Sequence, residues 1–174
     1  MSEVFLFTSD EIYDIPRADF FDIDNWFTVK EETMLSYLTM LVFLAGIGHL
    51  ILVSASMSIP YLLNWREDLA KLRPMNREIF WTYAGYIFTT NLSLGLVSIF
   101  SANELVTKSS LAFAISLYAL CYWGVRLFIQ LFIFDRVDIP QKFWYKTGDV
   151  MITLLFTYLT IVYGLVTAHQ IGWW

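Results

Sequence analysis

The chain alternates long apolar runs with short polar interruptions, and the spacing predicts four membrane-crossing helices. A spanning helix needs about 20 mostly apolar residues. Four runs reach that length: about 34–59 (MLSYLTMLVFLAGIGHLILVSASMSI), about 79–100 (IFWTYAGYIFTTNLSLGLVSIF), about 111–134 (LAFAISLYALCYWGVRLFIQLFIF) and about 150–168 (VMITLLFTYLTIVYGLVTA). The expected fold class is therefore all-α, an integral membrane four-helix bundle. Punctuation supports the limits. Thr28-x-x-Glu31 reads as a capping box ahead of the first run, Pro60 closes or kinks that run, and Pro140 falls between the third and fourth.

Residues 1–33 depart from the pattern. They hold nine acids (Glu3, Asp10, Glu11, Asp14, Asp19, Asp22, Asp24, Glu31, Glu32) against Arg17 and Lys30, with Phe20, Phe21, Ile23, Trp26 and Phe27 interleaved. Two parts are expected: an acidic extramembrane segment, 1–33, and a four-helix domain, 34–174. The segment would be a solvated tail with an interfacial anchor, or a docking element for a basic external partner. It lacks the basic start and apolar core of a cleavable signal peptide. Residues 61–72, YLLNWREDLAKL, set Leu62, Leu63, Leu69 and Leu72 among charges, which predicts a short amphipathic helix on the membrane surface.

Composition removes the soluble alternative. Hydrophobic residues make up 57% of the 174 and charged residues 16%, where a soluble domain carries about 25% charged. A soluble chain of this size buries only about two thirds of its surface, so lipid must cover the remainder; the mean hydropathy of +0.57 agrees. Cys121 has no second cysteine to pair with and is expected to be a small apolar core residue. No basic patch suggests nucleic acid.

Charge also orients the spans. Arg66, Lys71, Arg73, Arg77, Arg136, Lys142 and Lys146 fall in two loops on one side, against Arg17, Lys30 and Lys108 on the other. The positive-inside bias predicts cytoplasmic basic loops and both termini on the non-cytoplasmic side. Trp26, Trp65, Trp81, Trp144, Trp173 and Trp174 then sit at interfaces, while Trp123 falls near mid-membrane and should pack against a neighbouring helix.

Ionisable residues inside a bilayer are costly and mark candidate sites. The third run holds Arg126, with Gln130 one turn on and therefore on the same helix face. His49 lies just past the midpoint of the first run. Glu78, Tyr83 and Tyr86 of the second run and Asp149 ahead of the fourth are available at similar depth, and Asn91, near the middle of the second, must find a hydrogen bond. A buried arginine wants a carboxylate, so Arg126 is expected to pair with Glu78 or Asp149. His49 and His169 differ in level by about 20 Å at 1.5 Å per residue, which makes a bis-histidine haem unlikely. No metal site is expected. The chain contains no HExxH, GxSxG, P-loop or GxGxxG. Asn91-Leu-Ser93 lies within a span, so it is no glycosylation acceptor. Nor does an inverted repeat suggest a transporter.

FWTYAGYIFTTNLSLG (80–95), YWGVRLFIQLFIFD (122–135) and LTIVYG (159–164) together resemble a family of small, uncharacterised four-span proteins of the bacterial inner membrane. The resemblance implies that location and carries no activity or site residues with it.

Two functions follow as expectations. The leading one is non-catalytic: an accessory, assembly or scaffold subunit of a larger membrane protein complex, with Ala84, Gly85, Gly95, Ala112, Ala114 and Ser116 permitting close helix contact. Its partners would be membrane lipids and other membrane subunits. The alternative is a small membrane enzyme or binding protein for a lipid-soluble substrate, a quinone or an isoprenoid. Its site would lie between helices around Arg126 and His49, lined by Tyr83, Tyr86, Asn91 and Gln130.

Overall fold

The computed structural model describes residues 23–134 and 143–173. Among them the chain is helical and contains no strand: α1 (Ile23–Ser56), α2 (Ile59–Leu62), α3 (Trp65–Ala70), α4 (Pro74–Phe100), α5 (Ala102–Val106), α6 (Ser110–Phe128), a π turn (Ile129–Ile133) and α7 (Phe143–Gln170). Four stretches are long and apolar enough to cross a membrane: Thr28–Leu62, Pro74–Phe100, Ser110–Ile133 and Lys146–Gln170. Each covers one expected run. The protein is an all-α, multi-pass membrane protein.

The chain divides into two units, Met1–Met34 and Leu35–Trp174. The described part of the first is the opening of α1, where the Lys30 ammonium lies 4.8 Å from the Trp26 ring centroid, a cation–π contact between positions one turn apart. The acidic stretch 1–22 lies outside the described residues, as do Pro140, the basic residues Arg136 and Lys142, and Trp174. Thr28 is interior to α1 rather than at its N-cap. The helix starts at Ile23, six residues ahead of the Val29 start that the capping box suggests.

Within the second unit each long helix commits one stripe to the core. On α1 it runs Leu38, Val42, Ala45, His49, and on α6 Ala112, Ser116, Ala119, Trp123. Both have the four-three-four spacing that keeps one face inward. On α4 the buried positions are Asn91, Leu94, Gly95 and Ser98, and α7 contributes Phe156, Leu159, Val162, Tyr163 and Val166. The opposite faces carry Tyr37, Met40 and Ile51 of α1 and Met151, Leu154 and Ile161 of α7, all exposed. Such faces suit lipid.

Cys121 is exposed, not a core residue. It stands two positions from both Ala119 and Trp123, about 200° around a 3.6-residue helix, and so faces away from the buried stripe.

Helices α1 and α4 cross at two glycines. A Cβ on Gly46 would lie 2.6 Å from Ile99 Cγ1 and 2.9 Å from the Gly95 carbonyl oxygen; one on Gly95 would lie 2.8 Å from His49 Cβ. Only a residue without a side chain permits this approach. Between α1 and α4 the expected single amphipathic helix is two short ones. Asn64 takes a left-handed conformation (φ 53°), which asparagine tolerates, and the break leaves Leu69 buried while Leu62, Leu63 and Leu72 are exposed.

The far end of the bundle is closed by one side chain. Gln170, the last residue of α7, donates from Nε2 to the carbonyls of Leu105 (2.8 Å) and Thr107 (3.0 Å), and its Oε1 accepts from the Ser109 backbone N–H at 3.1 Å. Ser109 in turn caps α6 by accepting from Ala112 N at 3.1 Å. The amide thus satisfies donors and acceptors that a helix end leaves open.

Candidate functional site

His49 is fully buried, and its ring is held from two sides. Nδ1 is 2.7 Å from the Ala45 carbonyl oxygen, one turn back on α1. A carbonyl can only accept, so Nδ1 carries the proton and Nε2 is left as an acceptor. Trp123 fills that role, donating its indole N–H to Nε2 at 3.1 Å across the α1–α6 interface. The ring also meets Trp123 and Tyr163 edge-on, at centroid separations of 5.1 and 5.9 Å. The Tyr163 hydroxyl is 2.6 Å from Ser98 Oγ. Four helices are therefore tied together by a continuous buried set: His49, Trp123, Tyr163 and Ser98.

Beside this set, towards the end of the bundle that carries α2 and α3, lies a cavity of about 550 Å3. Its walls are aromatic: Trp65, Phe80, Trp81, Phe88, Trp123 and Phe156. Trp65 meets Phe80 edge-on at 4.9 Å and Trp81 at 6.1 Å, which couples the short α3 to the start of α4. Polar groups are few. Asn91 and Tyr122 line the cavity, and among the described residues Asn91 Oδ1 is buried without a hydrogen-bond partner.

Among the described residues Arg126 is the one charged side chain in the cavity wall. Its guanidinium carbon lies 5.3 Å from the Phe156 ring centroid and 5.7 Å from that of Phe134, close enough for cation–π attraction to both. The expected ion pair is not formed. Among the described residues the recorded ion pair is Lys71–Asp68, 2.9 Å apart and on the surface. Glu78 is exposed on α4. Asp149 accepts instead from Gln130 Nε2 at 2.7 Å. Arg126 lines the cavity, whereas Gln130, at the start of the π turn that follows, is buried against α7.

The structure thus brings Asn91, Arg126 and Tyr83 to one cavity. Tyr83 is only a rim residue, 64% exposed. Tyr86 points away from it, 68% exposed, and His49 stands behind Trp123. The aromatic wall and Tyr122 went unnoticed in the sequence. Tyr122 had a usable signal: it lies four residues before Arg126, hence on the same helix face. Among the described residues no group of three or more His, Cys, Asp or Glu could hold a metal ion. In comparisons with known proteins, no family model, curated protein or solved structure matches the chain.

Proposed function

We propose that the protein binds a lipid-soluble ligand in the cavity between α1, α4, α6 and α7, with the ligand's acceptor oxygen at Arg126. The supporting observation is the arginine itself. Its N–H groups meet no acceptor among the described residues, inside an aromatic-walled space whose volume lies in the usual range of ligand sites, about 300–1,000 Å3. A charge in such a place is costly unless it is paired, and a ligand oxygen pairs it. Trp123, pinned by His49, fixes one wall of the site. Its N–H is spent on that bond, so the tryptophan contributes shape and not chemistry.

In this reading the end bearing α2 and α3 is the cytoplasmic face of an inner membrane, supported by Arg66, Lys71, Arg73 and Arg77, with both termini on the opposite side. The test is purification in mild detergent followed by extraction and mass spectrometry. Wild-type protein should retain a lipid-like small molecule in stoichiometric amount, and Arg126→Leu should lose it while keeping its helical circular dichroism. Equal retention by both proteins would refute the reading.

An accessory-subunit role is the second reading, favoured by Tyr86. Its side chain faces outwards near the middle of α4, where a hydroxyl in hydrocarbon lacks a partner and a neighbouring subunit could supply one. Co-purification of a stoichiometric partner that is lost in Tyr86→Phe would support it.

A further inference from the structure

The ligand class can be narrowed, taking the cavity reading above as its basis. We propose that the occupant is a single-chain, monoanionic carboxylate: a long-chain fatty acid whose head is held by the guanidinium edge of Arg126.

Charge comes first. Arg126 supplies one positive charge, and among the described residues no other Asp, Glu, Lys or Arg lines the cavity. A neutral carbonyl, as in a quinone, would accept a hydrogen bond and leave that charge uncompensated in an apolar wall. A phosphomonoester or diphosphate would bring in more negative charge than one arginine neutralises. A carboxylate balances it one to one.

Geometry agrees. Phe156 and Phe134 lie against the guanidinium carbon, and neither ring offers an acceptor to its in-plane N–H groups. That donor fork matches the two oxygens of a carboxylate in a bidentate pair. The Tyr122 hydroxyl, one turn back on the same face of α6 and also in the cavity wall, is a further donor at the head.

Size is compatible with one tail: the cavity of about 550 Å3 can take a long alkyl chain beneath a small head. Its largely aromatic and aliphatic lining, with Leu52, Ile87, Phe88, Ile152 and Phe156, matches such a chain.

The experiment is native mass spectrometry of the full chain in a neutral detergent, titrated in parallel with palmitic acid, methyl palmitate and a short-tailed benzoquinone. We expect one palmitate per chain, at least ten-fold tighter than the methyl ester. Arg126→Gln should abolish that preference, and Arg126→Lys, which keeps the charge but loses the fork, should retain part of it. Gly85 lines the cavity and a Cβ there meets nothing within 4 Å, so Gly85→Leu should fold and weaken palmitate binding by blocking the space. Equal affinity for acid and ester in the wild type would overturn the proposal, a comparison that needs no variant to fold. Arg126-dependent binding of the quinone in place of palmitate would overturn the carboxylate and leave the cavity reading standing. Binding of none of the three at the cavity would remove both.

Discussion

Trp123 of α6 and His49 of α1 are each other's hydrogen-bond partner, at 3.1 Å, in a part of the bundle where both side chains are all but inaccessible. The pair fixes the tautomer of one residue and the rotamer of the other. His49→Phe strands the indole N–H, and Trp123→Phe strands Nε2. A buried group left without its partner costs about 1–3 kcal/mol. Each single variant should therefore lower the thermal midpoint in detergent, and the double variant should cost less than the two added together. Strict additivity in that cycle would show that the bond contributes nothing.

The glycine crossing gives a harsher expectation. Gly46→Ala and Gly95→Ala each place a methyl group within 3 Å of a neighbouring helix, one of them against backbone that cannot move aside. Overpacking of this kind costs about 1–3 kcal/mol. Both should reduce the midpoint clearly, whereas Gly124→Ala, whose Cβ meets nothing within 4 Å, should leave it almost unchanged. A matching drop in Gly124→Ala would point to a general glycine effect rather than to the crossing.

At the opposite end, Gln170→Leu removes an amide that serves three backbone groups. The Leu105 and Thr107 carbonyls and the Ser109 N–H lose their partner together. Amide hydrogen exchange over residues 102–112 should accelerate well before exchange in α1 does. Uniform acceleration across the protein would instead mark Gln170 as part of the global core.

A fourth expectation concerns Gln130 and Asp149, joined at 2.7 Å. Asp149→Leu should release the π turn and cost about 1–3 kcal/mol, since Gln130 is buried and loses its acceptor. Asp149→Asn keeps an acceptor oxygen and should be milder. Thermal midpoints of the two variants, measured side by side, decide it.

The four spans could be read directly because hydropathy over twenty residues is a property of composition, and lipid demands it wherever the residues point. Rotation about each helix axis was much less legible. Cys121 was placed inside because apolar runs mark no inner face when both faces are apolar. Arg126 and His49 were grouped by depth, and depth cannot tell that Trp123 stands between His49 and the cavity. Depth could not settle the pairing of Arg126 with Glu78 or Asp149 either, because Gln130 takes an Asp149 oxygen and Glu78 is exposed. The aromatic wall gathers residues from α3, α4, α6 and α7, a convergence that only the packed bundle reveals.

The Gln170 amide also bears on the order of assembly. A ribosome delivers α5 and the start of α6 before α7, so the Leu105 and Thr107 carbonyls and the Ser109 N–H are made well ahead of the amide that serves them. Until the end of α7 arrives, water must stand in. A chain stalled within α7 would hold this turn unfastened.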